Sequence, residues 1–325
     1  MKKLALALAG VALAAVPAAA QEWKPTRNVE YIVPSGAGAA LDSGARMIKE
    51  VIERYKLSPT SMIVTNKPGG AGMVALSVFN QKAGDPHVLA HMTHSTINNP
   101  LIGTATLGTK DFTPIAILVD ETLIVAVRAD SPIKTGKDLI ERLKKDPGSV
   151  RFGVATAVGN HIHIGLAVPL KAAGVDIKKL TVAAFKSSAQ SMTALLGGHL
   201  DAVSASAPNA VKLAEAGKIR VIATAAGKRM TGSMSKVPTW KEQGVDAEFS
   251  SSQGVLGAKG ITPAQIMFWE SALRKVVETK EWKALLERNH WRPRFLGHKE
   301  AVAFIAREEA KLKGILAELG MLKKK

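Results

Sequence analysis

Two loops of small and polar residues carry the strongest chemical signal in this sequence. The segment 33–42, VPSGAGAALD, follows an apolar run and leads into a helical pattern. Small side chains let a ligand approach the backbone closely, and the N–H groups at a helix N-terminus attract an anion. The segment 154–161, VATAVGNH, repeats this design in the second half of the chain. Two such helix N-termini facing each other would form a clamp for carboxylate groups.

The first loop resembles a dinucleotide-binding loop only in part. Gly36-Ala37-Gly38 begins like that fingerprint, but Leu41 stands where the third glycine belongs. The second strand ends at Asn66, with no acidic residue to hold a ribose. Asp42 precedes Arg46 by four residues, which fits either an ion pair on the helix surface or a capping and ligand-orienting role.

Enzymatic and metal chemistry have little support. His91/His94 and His161/His163 are closely spaced, but a zinc site needs three or four convergent ligands, and neither pair has a neighbouring acid. There is no GxSxG elbow, no HExxH motif and no pair of carboxylates at catalytic spacing. The chain has no cysteine, which excludes thiol nucleophiles and iron–sulfur clusters. We therefore predict a protein that is not an enzyme and has neither a metal nor a cofactor.

The net charge of +17, from 44 Lys and Arg against 27 Asp and Glu, favours anionic partners. Nucleic acid is a poor candidate, because the basic residues are scattered, aromatic content is 5%, and no helix-turn-helix or zinc-finger spacing occurs. The charge agrees better with small organic anions as ligands. We predict no nucleic-acid partner.

The N-terminus has the pattern of a secretory signal peptide. Lys2 and Lys3 precede a short apolar run, 4–16, and the small residues 17–20 supply a cleavage site near Ala20. The apolar run is short for a membrane span, and no later stretch is long enough for one. We predict a periplasmic protein that starts near residue 21, with its charge reduced by the two lysines.

Apolar runs alternate with amphipathic stretches along the rest of the chain. This pattern predicts an α/β fold with mostly parallel sheets. The length of 325 residues predicts about two domains, and because no flexible linker separates them, we expect a cleft between two lobes. The predicted strands are 29–34, 61–65, 87–92, 115–118, 123–127, 150–154, 181–185, 202–206 and 220–224. The main predicted helices are 41–55, 73–82, 138–145, 161–173, 188–196, 263–279 and 299–319, with Ser188 and Thr262 as N-caps.

An ordered set of motifs resembles the Bug-type substrate-binding proteins of tripartite tricarboxylate transporters. The family's V-P-F-x-x-G-G-x-x-D-x-x-A-R is matched by segment 33–46, with Ser35 in place of Phe and Ala39 in place of the second Gly. The family's G-x-x-T-H-L is matched at 159–164, with His163 retained and Ile162 replacing Thr. Further matches are NKPGGAG at 66–72, NPLI at 99–102, DFTPI at 111–115, LLGGHLD at 195–201, GKIR at 217–220 and VPTWKEQG at 237–244.

The resemblance implies a periplasmic binding protein of type II, a Venus flytrap with a mostly parallel sheet in each lobe. After the signal peptide, 1–20, lobe 1 would comprise 21–123 plus 247–325, and lobe 2 would comprise 124–246. The implied function is capture of a small di- or tricarboxylate and its delivery to membrane permease subunits by a monomeric receptor. The alternative is a carboxylate sensor that signals to a membrane partner such as a sensor kinase, and neighbouring genes would distinguish the two.

The predicted ligand-binding residues come from the two loops and from polar positions at other strand ends. The first loop and the second loop would hold carboxylates, and three serines would contact the rest of the ligand. Ser35 is added because it replaces an aromatic residue of the family. The full set is Ser35, Ala37, Gly38, Ala39, Ala40, Leu41, Asp42, Ser95, Thr156, Gly159, Asn160, His161, Ser187 and Ser206.

Overall fold

The computed structural model describes residues 22–155 and 157–323. The predicted signal peptide and Thr156 lie outside the described residues. The strands are β1 (Val29–Val33), β2 (Met62–Asn66), β3 (Val88–Met92), β4 (Thr113–Arg128), β5 (Arg151–Ala155), β6 (Thr181–Phe185), β7 (Ala202–Ser206), β8 (Ile219–Thr224), β9 (Ser250–Gly257) and β10 (Trp291–Leu296). The helices are α1 (Ala40–Arg54), α2 (Met73–Asn80), α3 (Ser95–Leu101), α4 (Gly136–Lys145), α5 (His161–Ala172), α6 (Ser188–Leu196), α7 (Val211–Glu215), α8 (Pro263–Glu278), α9 (Lys280–Arg288) and α10 (His298–Glu318).

Strand β4 belongs to two sheets. Its first part, 113–122, pairs with β9, and its last part, 123–128, pairs with β7 and β8. The apolar runs predict two separate strands here, at 115–118 and 123–127. That division is wrong, because the polar residues 120–122 between the apolar runs continue the same extended backbone and are buried or half-buried.

Each sheet contains three parallel strands, as the α/β pattern predicts. In the first sheet, β1 lies between β2 and β3; in the second, β5 lies between β6 and β7. Antiparallel strands complete the two sheets, with β9 and β10 in the first and β8 in the second. The α/β fold is thereby confirmed, and both sheets are mixed, with parallel and antiparallel pairs. The predicted lobe boundaries remain predictions.

Local sequence signals explain several helix ends. Thr262 caps α8 as predicted: its hydroxyl accepts from the Gln265 N–H, and the Gln265 side chain accepts from the Thr262 N–H at 2.7 Å. The N-cap predicted for α6 is wrong by one residue. Ser187 caps that helix by accepting from the Gln190 N–H, and Ser188 is its first helical residue.

Five elements are not predicted from the sequence, among them the short helix α7 (Val211–Glu215). Helix α3 follows β3 directly and includes Pro100. Strands β9 and β10 and helix α9 follow in the last third of the chain. Strand β9 has the sequence SSSQGVLG. Its serine, glutamine and glycine residues do not give the apolar pattern that predicts a strand, although the residues from Ser251 onward are buried.

The apolar core is continuous from the first sheet through β4 into the second sheet. A smaller cluster of buried residues packs around β7 and β8. Across the described residues, no helix is both long enough and apolar enough to span a bilayer.

Close packing between β9 and β4 generates a testable prediction. A Cβ added at Gly254 would lie 2.2 Å from the Ala116 carbonyl oxygen, and backbone cannot move aside cheaply. Gly254→Ala should therefore lower the free energy of unfolding by about 3 kcal/mol. Gly314 on α10 has open space around its Cβ position, so Gly314→Ala should raise stability by about 0.5–1 kcal/mol. Urea unfolding of both variants measures the difference, and equal effects would contradict the packing of β9 on β4.

Candidate functional site

The loop between β1 and α1 is held in shape by the Asp42 carboxylate, which is 2% exposed. Gly38 donates its N–H to Oδ2 at 2.8 Å, and Arg46 Nε donates to the same oxygen at 2.8 Å. Asn66 Nδ2 donates to Asp42 Oδ1 at 2.9 Å and to the Ser35 carbonyl at 3.0 Å. Burial alone would raise the pKa of Asp42, but the bonds from Arg46, Gly38 and Asn66 outweigh it and lower the pKa. Asp42 thus both organises the loop and pairs with Arg46.

The first turn of α1 lacks a side-chain cap. Ala39 occupies the N-cap position with extended backbone and has no side chain that could accept a hydrogen bond. Among the described residues, no acceptor faces the N–H groups of Ala40, Leu41 and Asp42. Residues 36–39 are exposed, and Gly38 adopts a left-handed φ of 80°. The start of α1 therefore lies next to an exposed loop and has N–H donors that the described residues leave without an acceptor.

The second loop leads into α5 and is capped from within. Asn160 Oδ1 accepts from the N–H groups of Ile162 and His163 at 3.0 and 3.1 Å, and Asn160 Nδ2 donates to the Ala155 carbonyl. The Asn160 side chain is thus engaged by the protein itself. Gly159, at φ 88°, donates its N–H to His163 Nδ1 at 3.0 Å. The two loops have the same sequence pattern, but α5 is capped by Asn160 whereas α1 has no side-chain cap.

Helix α3 contacts the second loop and begins at the same sheet edge as α1. It follows β3, which lies beside β1 in the same parallel set, so the starts of α1 and α3 lie at one edge of the sheet. Asn98 on α3 donates to the Gly159 carbonyl at 2.7 Å. The rings of His94 and His161 have centroids 6.2 Å apart. The structure therefore brings the ends of β1, β3 and β5 to one region.

Several buried polar atoms in this region have no hydrogen-bond partner among the described residues. They are both ring nitrogens of His94, Nδ1 of His161, Oγ of Ser35 and Oγ1 of Thr122. Burial lowers the pKa of His94 to about 3, with the charges of His161 and Lys311 adding to the effect, and burial lowers the pKa of His161 to about 4. Both imidazoles are therefore neutral at pH 7 and provide hydrogen bonds rather than charge.

The predicted serines lie at different depths. Ser206 ends β7 and is 6% exposed, whereas Ser95 begins α3 and is half-buried. Ser187 is exposed at the end of β6, where its hydroxyl caps α6. A contact between any of these serines and a ligand remains a prediction.

Glu121 is absent from the predicted set. It lies on β4 where the strand passes from one sheet to the other, and its Oε2 is 3.9 Å from His161 Nε2. Its side chain is 14% exposed and that of His161 is 15% exposed. An acidic residue inside an apolar strand is a signal in the sequence, but only the three-dimensional pairing shows what it faces. In the described part of the chain, no group of three or more His, Cys, Asp or Glu side chains is placed to hold a metal ion.

The fold and this edge of the two sheets define a solute-binding protein. The model of the tripartite tricarboxylate transporter family receptor, TctC, matches residues 45–321, and the chain belongs to this family. Its members are substrate-binding receptors, so the prediction that the chain is not an enzyme is confirmed. The predicted resemblance to Bug-type proteins is confirmed as well.

Individual proteins with similar sequences or folds support this family membership. A UPF0065 protein from Cupriavidus necator is 29% identical over 322 residues, which cover 98% of this chain and 96% of that protein. A TctC solute-binding protein from Polaromonas is 28% identical, with a TM-score of 0.74 over 90% of this chain and 99% of that one. An R. palustris protein solved with adipate is 24% identical, with a TM-score of 0.75 over 91% of this chain and 98% of that one.

Buried histidines predict a particular response to acid. When the folded-state pKa lies below the unfolded value of about 6.5, the unfolded chain takes up the proton first. The stability due to a neutral His94 is therefore complete above that pH and is lost as pH falls toward the folded value of about 3. Between pH 6 and pH 5, the free energy of unfolding should fall by about 1 kcal/mol less in His94→Gln than in the wild type.

Urea unfolding at the two pH values measures this difference. His199→Gln removes an exposed imidazole and serves as the matched control. An identical pH dependence in the wild type and in His94→Gln would show that the His94 ring takes up protons in the folded state.

Proposed function

We propose that the chain captures a small organic carboxylate at the start of α1 and delivers it to the membrane permease of a tripartite tricarboxylate transporter. The observation that carries the proposal is the uncapped first turn of α1. Three N–H groups there have no acceptor among the described residues, and the helix dipole adds positive potential. A carboxylate supplies the missing acceptor.

The surroundings support an anionic group at this position. The one acid in the first turn, Asp42, is paired with Arg46, so its charge is balanced. The net charge of the chain attracts anions over a long range. The R. palustris protein that was solved with adipate, a dicarboxylate, has the same fold.

The proposal also includes export of the chain to the periplasm and closure of its two lobes on the ligand. The N-terminal pattern supports export to the periplasm with cleavage near Ala20, and a monomer suits a receptor that must release its ligand at a membrane partner. Residues 21–123 plus 247–325 and residues 124–246 would form lobes that close on the ligand. A ligand that contacts both lobes favours the closed state by its difference in affinity for the two states.

A substitution at the N-cap separates ligand binding from folding. Aspartate at Ala39 would cap α1 and raise the free energy of unfolding by about 1 kcal/mol. The same charge would repel a bound carboxylate and occupy its donors, so affinity should fall at least about tenfold. Ala264→Asp, in the first turn of α8, adds the same charge to another helix and is the matched control.

The measurement is a thermal-shift screen of residues 21–325 against mono-, di- and tricarboxylates, followed by calorimetry on the acids that bind. Ligand binding to the folded state raises the Tm by mass action. We expect binding by the wild type and by Ala264→Asp, and its loss in Ala39→Asp. The proposal fails if no acid raises the Tm, or if Ala39→Asp binds as tightly as its control.

A further inference from the structure

Glu121 and its neighbour Asp120 are adjacent acids on β4 with opposite surroundings. Asp120 accepts from Arg294 at 2.9 Å, from Arg292 at 3.3 Å and from the Ser252 hydroxyl at 2.7 Å. Side chains alternate along a strand, so Glu121 points to the opposite face of the sheet. Asp120 is thus a structural acid whose charge is compensated within the chain.

The groups that surround Glu121 are neutral. Ser251 and Trp291 are its partners on the two adjacent strands, and the polar side chains near it are those of Ser206, Ser251 and Gln253. His161, 3.9 Å away, is kept neutral by burial, which lowers its pKa to about 4. Among the described residues, neither a lysine nor an arginine forms an ion pair with Glu121.

A carboxylate in such surroundings is costly to leave without a positive partner. Burial raises the pKa of Glu121, although the hydrogen bonds from Ser206, Ser251 and Gln253 oppose the rise. The side chain nonetheless retains 14% exposure at the region where His161 begins α5. A group that arrives from solvent can therefore reach it.

We propose that Glu121 is a specificity residue that binds a cationic nitrogen of the ligand, with His161 and Ser206 beside it as neutral hydrogen-bonding groups. This inference rests on the proposed function, because the carboxylate of the same ligand would occupy the start of α1. The ligand class is then a small acid that also carries an ammonium group. A plain dicarboxylate would place a second negative charge where Glu121 stands.

Matched pairs of acids test the inference. Calorimetry at pH 7.5 compares aspartate with succinate, glutamate with glutarate, and phenylalanine with 3-phenylpropionate, on the wild type and on Glu121→Gln. In the pair that binds, the ammonium-bearing member should bind the wild type at least tenfold more tightly. Glu121→Gln should lower the affinity for the ammonium-bearing acid at least tenfold and the affinity for the acid without nitrogen less than threefold. Glu141 is an exposed acid on α4, so Glu141→Gln is the matched control and should change neither of the two affinities.

The outcomes separate this inference from the proposed function. If the acid without nitrogen binds the wild type as tightly as its partner, or more tightly, the inference is overturned while carboxylate capture stands. Weaker dicarboxylate binding in Glu121→Gln would identify Glu121 as a protonated donor to a second carboxylate and would also overturn it. If no acid of any pair binds, the inference is overturned, and the proposed function fails as well only if the wider screen of mono-, di- and tricarboxylates finds no acid that raises the Tm. If Glu121→Gln does not fold, the wild-type affinities for the two acids of each pair still test the inference.

Discussion

The backbone hydrogen bonding of β4 is the constraint on which the rest of the structure depends. One strand of 16 residues pairs with β9 and β10 over its first part and with β7 and β8 over its last part. Both parallel sets, β2-β1-β3 and β7-β5-β6, are therefore attached to one continuous backbone. The residues where β4 changes sheets are Asp120, Glu121 and Thr122, and all three are polar. Buried polar groups need partners, and Asp120 finds them in Ser252, Arg292 and Arg294.

The loops that lead into α1 and α5 show how one sequence pattern can produce different local chemistry. In both, a strand leads through small residues into a helix. In the first loop, Asp42 and Asn66 fix the backbone from behind, and the helix start stays open. In the second, Asn160 closes the helix start itself. The two helix starts therefore differ: α1 has backbone N–H donors for an anion, whereas α3 and α5 have side chains that form hydrogen bonds.

The sequence predicts the elements whose signal is local. The loop at 35–39, the capping box at Thr262 and the alternation of strands and helices all follow from spacing and side-chain type. Strand β9 was not predicted, because its polar and glycine-rich residues become buried only through pairing with β3 and β4. Glu121 was missed for the same reason. Its partners Ser206, Ser251 and His161 lie 40 or more positions away in the chain, so no window of sequence contains the cluster.

The central claim is that a ligand carboxylate binds to the N–H groups in the first turn of α1. An NMR titration of the ¹⁵N-labelled protein with the tightest-binding acid tests it most directly, through the amide signals of Ala40, Leu41 and Asp42. Hydrogen bonding to a charged acceptor is strong, so these amide protons should move downfield and become the most perturbed signals of α1. If the acid binds while these three signals stay in place, the carboxylate is held elsewhere and the claim is wrong.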